Sequence, residues 1–148
     1  MNNFTRDWED FEFLTEDYDK GIVKYIEDNK PFFERIINSF PLGFHRIDWD
    51  RLTHMEILIK QSYPNNKEEI EKSVKWIFFK EKIKDETDVI ICFDGYTKGA
   101  LLMPVKTFVE HCSEILTTTQ HSYVIPSIGN WCLNYTMEDY LYFGYAGQ

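Results

Sequence analysis

His111 and Cys112 are the pair in this chain that most invites a nucleophilic reading, because a thiol beside an imidazole can be activated as a thiolate. Such chemistry needs the base within reach of the nucleophile and a third group to orient the base. Neighbouring residues on a helix point roughly 100° apart. Phe108, Cys112, Ile115 and Leu116 share a helical stripe, which places Cys112 in a core and turns His111 off it. Asp48 and Asp50, in the run IDWD, could share one strand face and hold a hard cation. Acids at that spacing equally suit a turn or cap before the next element. The four histidines, His45, His54, His111 and His121, are scattered, with no HExxH, no Cys–His cluster and no EF-hand loop. Residues 95–99, GYTKG, match neither phosphate-binding glycine pattern and read as a hairpin loop. The carboxylate separation that glycoside hydrolysis requires is not visible in a sequence. The chain therefore reads as a non-enzyme, with no cofactor and no metal site expected.

Residues 7–19, DWEDFEFLTEDYD, hold seven carboxylates and four aromatics and no basic residue. A run of one sign repels itself unless it is solvated or meets a positive partner. The aromatics Trp8, Phe11, Phe13 and Tyr18 are costly to leave in water, which argues against a plain solvated tail. The pattern points to a surface that docks onto something basic, either another protein or the rest of the chain. The residues expected to make that contact are Asp7, Glu9, Asp10, Glu12, Glu16, Asp17 and Asp19, with Trp8 and Phe11 as anchors.

At 148 residues, with 43% hydrophobic and 17% aromatic content, the chain suits one domain over 1–148 with a sizeable core. Its net charge of −9 disfavours nucleic acid, whose phosphates must be neutralised by clustered Lys and Arg. The negative excess lies in residues 1–30 and 87–148, while residues 60–86 are slightly positive. Cys92, Cys112 and Cys132 are odd in number and far apart, which fits buried, reduced thiols better than disulfides or zinc. No signal-peptide pattern and no bilayer-length apolar run stand out, so a cytoplasmic protein with no membrane partner is expected.

These residues must be positioned by a mixture of helices and strands in irregular order. Tyr18, Ile22, Tyr25 and Ile26 form a helical stripe, and residues 32–40 another, opened by Pro31 and stopped by Pro41 and Gly43. Residues 53–60 alternate as a strand with Met55, Ile57 and Ile59 on one face, although Leu52, Met55 and Ile59 would also suit a helix. A turn at 63–66 precedes the clearest helix, 67–83, with Ile70, Val74, Ile77 and Phe78 inward. Glu68/Lys72 and Glu71/Lys75 would pair on its outer face. Residues 88–93 read as a buried strand that turns back through 100–103, and Pro104 starts another helix that ends at Thr117–Thr119. Three closing strands follow at 122–125, 131–135 and 140–145. The fold expected is α+β, with N-terminal helices packed on a mixed, largely antiparallel C-terminal sheet.

The segment WCLNYTMEDYLYFGYA resembles the endings of small bacterial immunity proteins of the contact-dependent growth-inhibition and polymorphic-toxin type. The shared features are an aromatic strand (131–135), a Thr-x-Glu-Asp turn (136–139) and an aromatic Leu-x-Phe-Gly strand (140–144), about a tenth of the chain. The resemblance implies a cytoplasmic, non-enzymatic protein that binds one cognate toxin domain, often a basic nuclease, and blocks its active site. Two other readings stay open: an interaction or adaptor domain with no toxin partner, and a small hydrolase using Asp48, Asp50 or His111.

Overall fold

The computed structural model describes residues 9–43, 46–60, 67–94 and 98–146. Among them, seven strands form one sheet in the order β1-β4-β3-β5-β6-β7-β2, with every neighbouring pair antiparallel. The strands are β1 (Lys24–Ile26), β2 (Met55–Ile59), β3 (Asp88–Phe93), β4 (Ala100–Pro104), β5 (Ser122–Pro126), β6 (Trp131–Tyr135) and β7 (Leu141–Tyr145). The α-helices are α1 (Thr15–Asp19), α2 (Lys30–Ser39), α3 (Lys67–Lys80) and α4 (Val105–Thr117). Short 3₁₀ turns occupy Glu9–Leu14 and Trp49–Arg51. The fold is α+β on an antiparallel sheet.

Layers lie on both faces of the sheet, and this explains why β3 reads as an unbroken apolar run. Val89, Ile91 and Phe93 face α3 and α4, in one cluster with Ile70, Val74, Ile77, Phe108, Ile115 and Leu133. Ile90 and Cys92 face the other way, toward Ile36, Phe40, Trp49, Tyr123 and Ile125. A strand covered on both sides has no polar face to alternate with. The helices are therefore shared between the two faces: α3 and α4 on one, α2 on the other.

α3 buries Ile70, Val74, Ile77 and Phe78, the stripe its periodicity defines, and stops at Lys80. Glu68 and Lys72 pair at 3.1 Å, whereas Glu71 accepts the Ser113 hydroxyl of α4 at 2.9 Å. α2 opens with Pro31 in its first turn, and the Lys30 N–H donates to the Asp28 carboxylate.

Two elements depart from their periodicity. The expected helix through Tyr25 and Ile26 is β1, because α1 ends at Asp19 and Gly21, at φ +79°, turns the chain. The Asp17 carbonyl then accepts both the Ile22 and Val23 N–H groups. In β2 the register shifts between Ile57 and Ile59. Met55 and Ile57 keep one face, opposite Gly144 and Tyr142, and the bulge sends Ile59 to the other, where it is buried in the α3 and α4 cluster while Ile57 stays exposed. The expected turn at 63–66 lies outside the described residues.

Candidate functional site

The acidic segment is built on a 3₁₀ turn, whose residues i and i+3 lie on one side. Phe11 and Leu14 have that spacing and are both fully buried. The Phe11 ring packs 4.9 Å from the Phe93 ring and 5.8 Å from that of Phe13. Phe11 is consequently a core residue and not a partner anchor, a correction to the expectation drawn from composition. Burying Phe11 and Leu14 leaves Glu9, Asp10 and Glu12 exposed on the opposite side. On α1, Glu16 and Asp19 are exposed, and Glu16 meets Lys20 at 3.0 Å. Asp17 is half-buried, its carboxylate 3.4 Å from His111 Nε2, and the Phe13 and His111 rings lie 5.7 Å apart. Asp7 and Trp8 lie outside the described residues.

His111 interrupts α4 with φ −124° and ψ 15°, and its ring turns toward Asp17 and Phe13. Cys112 is fully buried, and burial followed by the nearby Glu71 carboxylate pushes its thiol up to about 12. A thiol held protonated is a poor nucleophile. Cys92 is likewise raised to about 12 by burial.

Asp48 precedes the Trp49–Arg51 turn and Asp50 lies within it, and both line a cleft of about 380 Å³ with Arg46, Thr136, Glu138 and Tyr142. Arg46 Nη1 donates to both Glu138 oxygens at 3.0 and 3.2 Å. Burial opposes ionisation of Glu138, but the Arg46 hydrogen bond and charge outweigh it and hold the carboxyl below its usual range. The cleft wall is an aromatic ladder: Trp49 stacks on Tyr142 at 5.3 Å, and Tyr142 on Tyr140 at 5.7 Å. Burial, then the neighbouring Tyr140, raises the Tyr142 phenol. Among the described residues, no group of three or more His, Cys, Asp or Glu comes together as a metal site. Asp48 and Asp50 also sit across the sheet from His111, since Trp49 belongs to the α2-side cluster and Phe13 to the other. The three hydrolase residues do not converge.

A second cleft, of about 480 Å³, opens beside the start of β2. There Lys80 pairs with Glu56 at 2.8 Å, and the Tyr145 hydroxyl donates to Glu81 at 2.7 Å. Burial and that hydrogen bond push the phenol up to about 12.

Two tertiary features escaped sequence reasoning. Trp49 caps the ladder, and Arg35 of α2 donates to the carbonyls of Pro126, Ser127 and Gly129, pinning the β5–β6 turn. Neither has a local signal, because both partners lie some ninety positions away in the chain. No helix among the described residues is long and apolar enough to cross a membrane. No protein-family model matches this sequence, and no curated protein matches it significantly.

Proposed function

We propose that this chain is an immunity-type protein that binds a cognate basic toxin domain and occludes its active site in the cytoplasm, without catalysing a reaction. One observation carries the reading. The acidic segment is fastened to the body by Phe11 and Leu14 and displays Glu9, Asp10 and Glu12 outward, as a shaped surface rather than a loose tail. A pre-organised negative surface speeds encounter with a positive partner and loses little conformational freedom on binding. Its carboxylates would stand where the phosphates of a nuclease substrate bind. The C-terminal resemblance to immunity proteins supports the same reading, and the charge of −9 suits a basic protein partner.

The test is co-expression with the product of the reading frame directly upstream, followed by association kinetics. Neutralisation of a toxic upstream product is expected. Reversing Glu9, Glu12 and Asp19 to Lys should slow association and flatten its salt dependence. Unchanged affinity and salt slope would remove the segment from the interface.

A further inference from the structure

The second half of the outer face of α3 combines lysines with exposed aromatics, Lys72 pairing with Glu68 at 3.1 Å and Lys80 with Glu56 at 2.8 Å within the chain. Lys72, Lys75, Trp76, Phe79 and Lys80 recur at i, i+3, i+4, i+7 and i+8, and all five are exposed. Residues 72–84 hold five lysines and one acid, the most positive stretch in a chain of charge −9. Phe79 is 84% exposed and Trp76 50%, with the Lys80 ammonium 5.0 Å from the Trp76 ring centre. Aromatic side chains held in water on a regular helix, with cations around them, mark an interaction surface.

We infer that this face docks onto the acidic segment of a second copy of the same chain, forming a two-fold dimer. The complementary surface is already present on the molecule: residues 9–19 carry six acids and no base, with Glu9, Asp10 and Glu12 exposed. Both surfaces belong to one layer, since Phe11, Leu14, Ile70, Val74 and Ile77 pack in a single cluster on the same side of the sheet. A two-fold axis across that layer makes each contact twice, acids of one copy against lysines of the other and the reverse. Trp76 and Phe79 supply the desolvated centre, and the charges set the register. The dimer covers the carboxylates assigned above to the basic partner, so that partner must displace the second copy. The inference does not depend on the identity of that partner.

Sedimentation velocity of the full chain at low and high salt tests it, with fold monitored by circular dichroism. A concentration-dependent dimer that weakens with salt is expected, and Phe79→Glu should weaken it about tenfold or more. A Lys72→Glu, Lys75→Glu, Lys80→Glu variant and a Glu9→Lys, Glu12→Lys, Asp19→Lys variant should each be monomeric, and mixing them should restore a dimer. Both contacts become attractive in that mixture. A wild type that stays monomeric at low salt overturns the inference, as does a dimer indifferent to Phe79→Glu or two swapped variants that fail to pair. A monomer that instead binds phosphatidylserine vesicles through Phe79 assigns the face to a membrane and overturns it too. Toxin neutralisation is a separate readout, so either proposal can fail while the other stands.

Discussion

The indole N–H of Trp49 donates to the Asn134 side-chain oxygen at 3.0 Å, and both residues are buried. Asn134 spends its amide N–H on the Ser122 carbonyl at 2.9 Å, so one side chain satisfies a donor and an acceptor. This relay holds the 3₁₀ turn of residues 49–51 against the sheet and seats Trp49 on Tyr142. Replacing Asn134 with Leu should strand both partners, at about 1–3 kcal/mol for each orphaned group. Urea unfolding measures the loss.

Trp49 also depends on a missing side chain. A Cβ at Gly144 would lie 2.8 Å from Trp49 Cζ3, 2.9 Å from the His54 carbonyl oxygen and 3.0 Å from Met55 Cβ. Gly144→Ala therefore pushes against backbone as well as a ring that has nowhere to go. The expected cost is about 1–3 kcal/mol, with loss of the Trp49 near-ultraviolet dichroism as the structural sign.

Phe11→Ala should destabilise the protein by about 3–5 kcal/mol, as deleting a core ring does. Phe11→Leu keeps an apolar fill and should retain partner binding with a smaller stability loss. Equal loss of binding in both variants, at unchanged stability, would return Phe11 to the interface.

His121 is 7% exposed, and its Nδ1 has no hydrogen-bond partner. Burial first, and then the Arg46 charge, lower its pKa; the Glu138 and Asp94 carboxylates oppose the shift without reversing it. The unfolded chain thus binds a proton that the folded one resists. The contribution is complete above the unfolded value of about 6.5 and is lost as pH falls through the lower folded value. His121→Gln should flatten the fall in stability between neutral and mildly acidic pH, measured as urea midpoints.

All three cysteines are buried and free, and burial raises each thiol. A disulfide exchange reagent should leave the native protein unlabelled and titrate three thiols once it is unfolded. Rapid labelling of the native fold would contradict the packing of Cys112 between α4 and the sheet.

Elements whose apolar pattern is decided locally are legible in the sequence. α3 needs only its own stripe, and β3 only an apolar run too short for a helix. β1 is not, because Tyr25 and Ile26 fit a helical stripe equally well, and pairing with Leu101 and Ala100 decides the matter. The β2 bulge is set by β7, so the crossing of Ile59 to the face opposite Met55 and Ile57 was hidden. In the acidic segment, the outward carboxylates were legible from charge alone. Whether Phe11 faced solvent or the core depended on Phe93, more than eighty positions away. Glu71 shows the same limit: its spacing to Lys75 suggests an ion pair, but a hydroxyl on the next helix takes it.

The strand order also governs when the molecule can be finished. β1 and β2 are made early yet occupy the two opposite rims of the sheet, and among the described residues β2 pairs only with β7. Met55 must wait for Gly144 to leave the ribosome. A nascent chain therefore carries β1 unpaired until β4 is made and β2 unpaired until β7 is made, a state prone to aggregation. The run of like charge between residues 7 and 19 emerges ahead of both strands and repels neighbouring nascent copies. The acids proposed to meet a partner in the finished fold would already have served as a solubility tag during its assembly.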